Sequence, residues 1–152
     1  MKILIGLHDS TAAREALDYV RMQNWPAGTQ ALIVAAHDPS AHSYVQTYDA
    51  PRESVEEVFD HDADTTRSFV ANAEHELRNH GLITETRVLN GNPREAIVEA
   101  AKDEHVDLIV VGARDRSALK RVVEGSVASH LVAHAPCNVL VVKHVRNESD
   151  IA

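Results

Sequence analysis

The sequence predicts an α/β fold: one doubly wound, Rossmann-like domain with a five-stranded parallel sheet and helices on both faces. Three observations predict it. Short apolar runs alternate with segments of helical period along the whole 152 residues. The runs are continuous rather than alternating, as in strands covered on both faces. Turn and cap residues punctuate the boundaries, and parallel strands joined in this order require right-handed crossovers.

Each element has its own signal. Residues 2–7 read as a short buried strand. His8-Asp9-Ser10 then supplies a turn and a helix cap. Ala13, Ala16, Leu17 and Val20 recur at helical spacing and predict a helix over 11–24, broken by Trp25-Pro26-Ala27-Gly28. Ala31 to Ala36 is a second strand, and 38–53 a polar loop with Pro39 and Pro51. Val55, Val58, Phe59, Phe69, Val70, Ala73 and Leu77 mark a long helix stopped by Gly81. Residues 82–89 predict a third strand. Asn92 can cap a helix with Pro93 at its first position, whose buried face carries Ala96, Ile97, Ala100 and Ala101. Asp107 to Val111 is the fourth strand, ending at Gly112. A helix over Val122–Ala135 ends at Pro136, and Asn138 to Val142 is the fifth strand. The domain is expected over 1–145, with a polar tail at 146–152.

Composition narrows the function classes. Aromatics make up 4% of the chain, so Val, Ile, Leu and Ala must fill the core. With 23 acidic against 15 basic residues the net charge is −8 at pH 7, which argues against broad binding to nucleic acid or an anionic membrane surface. The first apolar run is cut short by His8, too early for a signal peptide, and no run is long enough to span a bilayer. The single cysteine, Cys137, can form no intramolecular disulfide. The expected setting is cytoplasmic.

In such a sheet a ligand binds beyond the carboxyl ends of the strands, where strand order reverses. The residues in question are Leu7 to Ser10, Ala36 to Asp38, Asn90 to Pro93, and Gly112 onward. The most informative stretch is Val111-Gly112-Ala113-Arg114-Asp115-Arg116-Ser117, followed after eight residues by Gly125-Ser126-Val127. A glycine at a strand end permits a sharp turn and close backbone approach. A helix opened by Gly125-Ser126 would offer free N–H groups to an anion. Two such turns could hold a phosphate chain; the plainer alternative is that both glycines only make turns.

That stretch resembles the nucleotide motif of the universal stress protein family: Gly, two residues, Gly, nine residues, then Gly and Ser or Thr. Gly112 matches the first glycine, and Gly125-Ser126 the last pair. Lys2-Ile3-Leu4-Ile5, Gly91-Asn92-Pro93, Leu119-Lys120-Arg121 and His134 to Val142 extend the resemblance over nearly the whole chain. It implies a stress-response role, a cytoplasmic setting and a homodimer, placed here on the last strand. Some members of the family bind ATP. Carried over by position, Gly6, Leu7, His8 and Ala36 would line an adenosine pocket walled by Val111 and Gly112. Arg114, Asp115, Gly125, Ser126 and Val127 would face the phosphates. Two positions depart from the family: Asp115 replaces the second glycine, and His8 stands where an Asp usually follows the first strand. The expectation is therefore a regulatory protein, not an enzyme, with ATP or AMP binding weak or lost. The alternative is an ATP- or AMP-binding switch.

The other constellations have plainer readings. His130 and His134 share a helical face but lack a third ligand in sequence, so they read as surface histidines and no metal is expected. His8 and His37 each follow a strand and could form a polar cluster with Asp9 or Asp38, without a nucleophile elbow or carboxylate pair beside them. Ser10, Ser117 and Ser126 are turn and cap residues, and Cys137 reads as a buried inert thiol at the start of the fifth strand. Lys120 and Arg121 suit phosphates or water equally, and the 38–53 loop, with Tyr44 and Tyr48, a lid or a solvent-facing segment.

Overall fold

The computed structural model describes residues 1–7, 10–37, 63–113 and 126–143. In chain order they form β1 (Lys2–Leu7), α1 (Ser10–Met22), β2 (Gln30–His37), α2 (Ala63–Asn79), β3 (Ile83–Asn90), α3 (Pro93–Asp103), β4 (Leu108–Gly112), α4 (Ser126–His134) and β5 (Asn138–Val142). The five strands make one parallel sheet in the order β3-β2-β1-β4-β5. The chain winds outward from β1 to β3 and then returns to the other side of β1. The reversal lies between β1 and β4, where Gly6 pairs with Val111.

Strand alternation sorts the core onto two faces. Ile3, Ile5, Leu7, Ala31, Ile33, Ala35 and Val110 face α1 and α2. Leu4, Leu32, Val34, Ile109 and Val111 face α3 and α4. Both faces are covered, so both strand parities are apolar, which is why the runs are continuous in sequence. A fully buried Leu or Ile of this kind stabilises by roughly 1.5–3 kcal/mol. As the composition requires, the buried members of both clusters are aliphatic, while Tyr19, Trp25 and Phe69 only pack at the rim. The indole N–H of Trp25 donates to the Val20 carbonyl at 2.8 Å, tying the chain back onto the end of α1.

Local chemistry sets the ends of the helices. The Asn92 side chain accepts the Arg94 N–H at 3.0 Å, and Pro93 opens α3, as the sequence predicts. At the end of α2 the Leu82 N–H reaches back to the Leu77 carbonyl and the Gly81 N–H to Arg78, with Gly81 at φ +86. α3 closes the same way, Val106 to Ala101 and His105 to Lys102, but here a histidine holds the left-handed position at φ 52. The fourth predicted helix, 122–135, is found as Ser126–His134, and residues 122–125 lie outside the described residues. So do the 38–53 loop and the predicted start of the long helix.

The amino ends of the strands are tied by charge. Glu104, just past α3, pairs with Lys2 of β1 at 2.5 Å and with Arg87 of β3, which also holds Glu85 at 2.8 Å. Hydrogen bonds from Lys2 and then Arg87 hold the Glu104 carboxyl below the usual carboxylate range. A groove of about 190 Å³ lies beside this network, lined by residues that include Lys2, Gln30 and Glu85. That is below the ~300 Å³ at which small-molecule pockets begin, and it sits at the opposite end of the strands from the reversal.

Candidate functional site

The carboxyl ends of β1 and β4 flank the reversal, so the candidate crevice lies above Leu7 and Gly112. Gly112 is there for a reason that its position in sequence does not disclose. A Cβ at residue 112 would lie 2.0 Å from the Ala12 carbonyl oxygen and 2.6 Å from the Ala12 Cα. The first turn of α1 is therefore seated directly on the end of β4. Ala12, Ala13 and Ala16 are all fully buried, so small side chains let the helix come this close. Gly6 is likewise occupied on its side-chain face, where a Cβ would meet Ile97 and Val111 at 2.9 Å. Neither glycine leaves room for a ligand where its side chain is missing; a ligand would reach them only along the backbone.

The remaining predicted residues divide. Leu7, Ala36 and Val111 are buried apolar groups at or next to the strand ends. Val127 is buried in the first turn of α4, and Ser126 opens that helix. Ala113, not singled out from sequence, joins this rim: it is 4% exposed, and its N–H donates to the Val142 carbonyl at 2.8 Å. His8, Arg114, Asp115 and Gly125 lie outside the described residues, as do Asp9, Asp38, Lys120 and Arg121. The Leu7 and Val111 side chains are turned into opposite faces of the core, so the described strand ends present backbone and small side chains. Of the residues expected to meet phosphates, Arg114, Asp115 and Gly125 fall within 114–125, while Ser126 and Val127 open α4.

Two further expectations meet the structure here. Cys137 is half-buried rather than buried and precedes β5 rather than starting it. Burial pushes its thiol up, opposed in part by a hydrogen bond with the Ile109 backbone. A thiol shifted in that direction forms the reactive thiolate less readily. The rings of His130 and His134 lie 4.4 Å apart, and among the described residues no third His, Cys, Asp or Glu joins them in a metal-holding group. Among the described residues no helix is long and apolar enough to cross a membrane.

Comparison with known proteins follows the same lines. The profile of the universal stress protein family matches residues 1–143. Universal stress protein Sll1388 of Synechocystis is 27% identical over 150 residues, covering 94% of this chain and 97% of that protein. Universal stress protein MJ0531 of Methanocaldococcus jannaschii is 41% identical over 68 residues, a segment spanning 45% of this chain and 40% of that protein. Among solved structures, MJ0577 from the same organism is similar with a TM-score of 0.74 and 24% identity, covering 96% and 97% of the two chains. Two more have the same fold. An Arabidopsis family protein with AMP bound has a TM-score of 0.65 and 16% identity, covering 100% of this chain and 97% of that one. A universal stress protein in complex with cAMP has 0.61 and 20%, covering 95% and 98%.

Proposed function

This chain belongs to the universal stress protein family, and we propose that it is a regulatory member, not an enzyme, whose crevice holds ATP weakly or not at all. The observation that carries the reading is the chemistry of the strand ends. Leu7 packs into the core toward α1 and α2 and Val111 toward α3 and α4, so the described strand ends present backbone groups and the small side chains of Ala36 and Ala113. A small, uncharged surface of this kind suits the base of a nucleotide and leaves phosphate affinity to the 112–126 motif. There Asp115 stands in place of the family's glycine, adding a like charge and bulk on the phosphate side. At ~5 Å and an effective dielectric of ~20, one pair of unit charges repels by about 3 kcal/mol before Arg114 and Arg116 offset it. Half of that is about tenfold in affinity. His8 on the adenosine side faces no comparable repulsion.

Titration calorimetry with ATP and Mg²⁺ tests this on wild type, Asp115→Gly and His8→Asp. Asp115→Gly should bind at least about tenfold more tightly than wild type, with His8→Asp gaining less. Low-micromolar ATP binding by wild type, unchanged in Asp115→Gly, would overturn it.

A second reading, an AMP- or ATP-responsive switch, draws support from the relatives that hold AMP and cAMP. AMP carries fewer charges toward Asp115, so this reading expects AMP to bind where ATP does not. AMP at ~100 times its Kd would then raise stability by about 2.7 kcal/mol.

The proposed partner is a second copy of the chain, paired through β5 in the cytoplasm. The contrast between the two sheet edges supports it. Edge strand β3 carries Glu85 and Arg87, charges that discourage pairing, whereas β5 offers Val139, Leu140 and Val141, each half-buried in the single chain.

A further inference from the structure

The contact between His130 and His134 supports a site that the crevice does not use. They are the one pair of histidines four residues apart among the ten in the sequence. On α4 that spacing stacks them on one face, and their ring centroids stand 4.4 Å apart with a 40° tilt. His130 is half-buried and His134 exposed, so the pair is anchored on one side and open to water on the other. The His75 and His80 rings, by contrast, are engaged on their own helix or its end, by Asn79 and by the Glu76 carbonyl.

We propose that His130 and His134 form a two-imidazole chelate for a divalent late first-row cation, with water in the remaining positions. The ligand chemistry fits: neutral imidazoles suit Cu²⁺, Ni²⁺ and Zn²⁺, and two nitrogens plus water oxygens suit the tetragonal preference of Cu²⁺ and Ni²⁺. The position fits as well. His134 lies in the last turn of α4, where the helix dipole presents its negative end and favours a cation. The net charge of −8 attracts cations to the molecule as a whole. Because no third side chain joins the pair among the described residues, the site is an open clip rather than a structural cage. Bound metal would brace the last turn of α4 directly before Pro136 and edge strand β5.

The test uses the full chain with Ni²⁺ and, separately, Cu²⁺, followed by calorimetry and by paramagnetic broadening of amide NMR signals. Broadening should centre on residues 130–134, and one equivalent should be lost in His134→Ala and in His130→Gln. Removing even an outer-shell partner from a metal site costs roughly 10–100-fold in affinity, so removing one of two ligands should cost no less. His134→Ala changes an exposed side chain, which keeps the fold intact, and unchanged far-UV circular dichroism checks this. His75→Ala should leave the equivalent in place. Broadening centred elsewhere, or equal affinity in wild type and both variants, would overturn the proposal.

Discussion

Replacing Gly112 with alanine should be among the most damaging single-methyl changes this chain can undergo. The added Cβ would start 2.0 Å from the Ala12 carbonyl oxygen, while ordinary contact begins near 3.4 Å. Relief therefore requires α1 and the end of β4 to part by about 1.4 Å, because the obstructing atoms are backbone and have no rotamer to change. Overpacked methyl groups in rigid cores cost about 1–3 kcal/mol, and a backbone obstruction belongs at the upper end. Gly112 also pairs with Val142, so β4 cannot retreat without disturbing β5. For a chain of this size ~3 kcal/mol lowers Tm by about 6–12 °C. Gly6→Ala is the internal control. Its Cβ would meet the Ile97 Cδ1, the end of a side chain that can rotate, and the stiffer Val111 Cγ1, both at 2.9 Å, so its cost should be about 1–2 kcal/mol. Trp25, the single tryptophan, packs against the α1 face of the core and reports unfolding by its fluorescence. If Gly112→Ala melts within 2 °C of wild type, or above Gly6→Ala, the close seat of α1 on β4 is wrong.

Three other changes probe separate parts of the molecule. His105→Gly should stabilise by about 1 kcal/mol, since a left-handed φ of 52 strains histidine and suits glycine; a lower urea midpoint in the variant would contradict this. Glu104→Gln tests the charged tie: the folded carboxyl lies below its unfolded value, so its stabilisation is full above the usual carboxylate range and fades as pH falls through the folded value. The gap in urea midpoint between wild type and Glu104→Gln should thus be present at pH 7 and close on acidification, and a gap constant with pH would count against the tie. Val141→Lys places a charge on the β5 edge and should shift a dimer toward monomer; light scattering that finds wild type monomeric at high micromolar concentration removes the dimer itself.

The strands were legible because burial on both faces leaves unbroken apolar runs, and the Asn92-Pro93 start of α3 because its cap is local chemistry. Boundaries moved where a backbone hydrogen bond decided them. Leu82 reads as the start of the third strand, yet its N–H closes α2 onto Leu77, so β3 begins at Ile83. Residues 23 and 24 read as helix, but α1 ends at Met22. Other features carry no local signal at all. The tie of Lys2 to Glu104 joins residues 102 positions apart, and a histidine in a left-handed turn looks like any other histidine. At the site, the burial of Leu7, Ala36 and Val111 followed from their place in apolar strands, whereas the tasks of Gly6 and Gly112 depended on partners in α3 and α1 that the chain brings up only on folding.

The packing of Gly112 against Ala12 changes what the glycine motif can report. Gly112 invites a ligand-centred reading because it begins a phosphate-type motif. Its missing side chain is already required by the Ala12 backbone, with or without a nucleotide. This chain needs a glycine there to keep α1 in place, so its presence says little about binding. Positions 115 and 125 lie outside the described residues, and Asp115 is where this chain departs from the family's motif. The two glycine questions therefore separate by experiment. Gly112→Ala should act on stability first, and on any ligand only through the displacement of α1. Asp115→Gly should leave the unfolding midpoint of the free protein nearly unchanged and act on phosphate affinity. A variant pair that failed to separate along those lines would mean that α1 packing and phosphate recognition are one device rather than two.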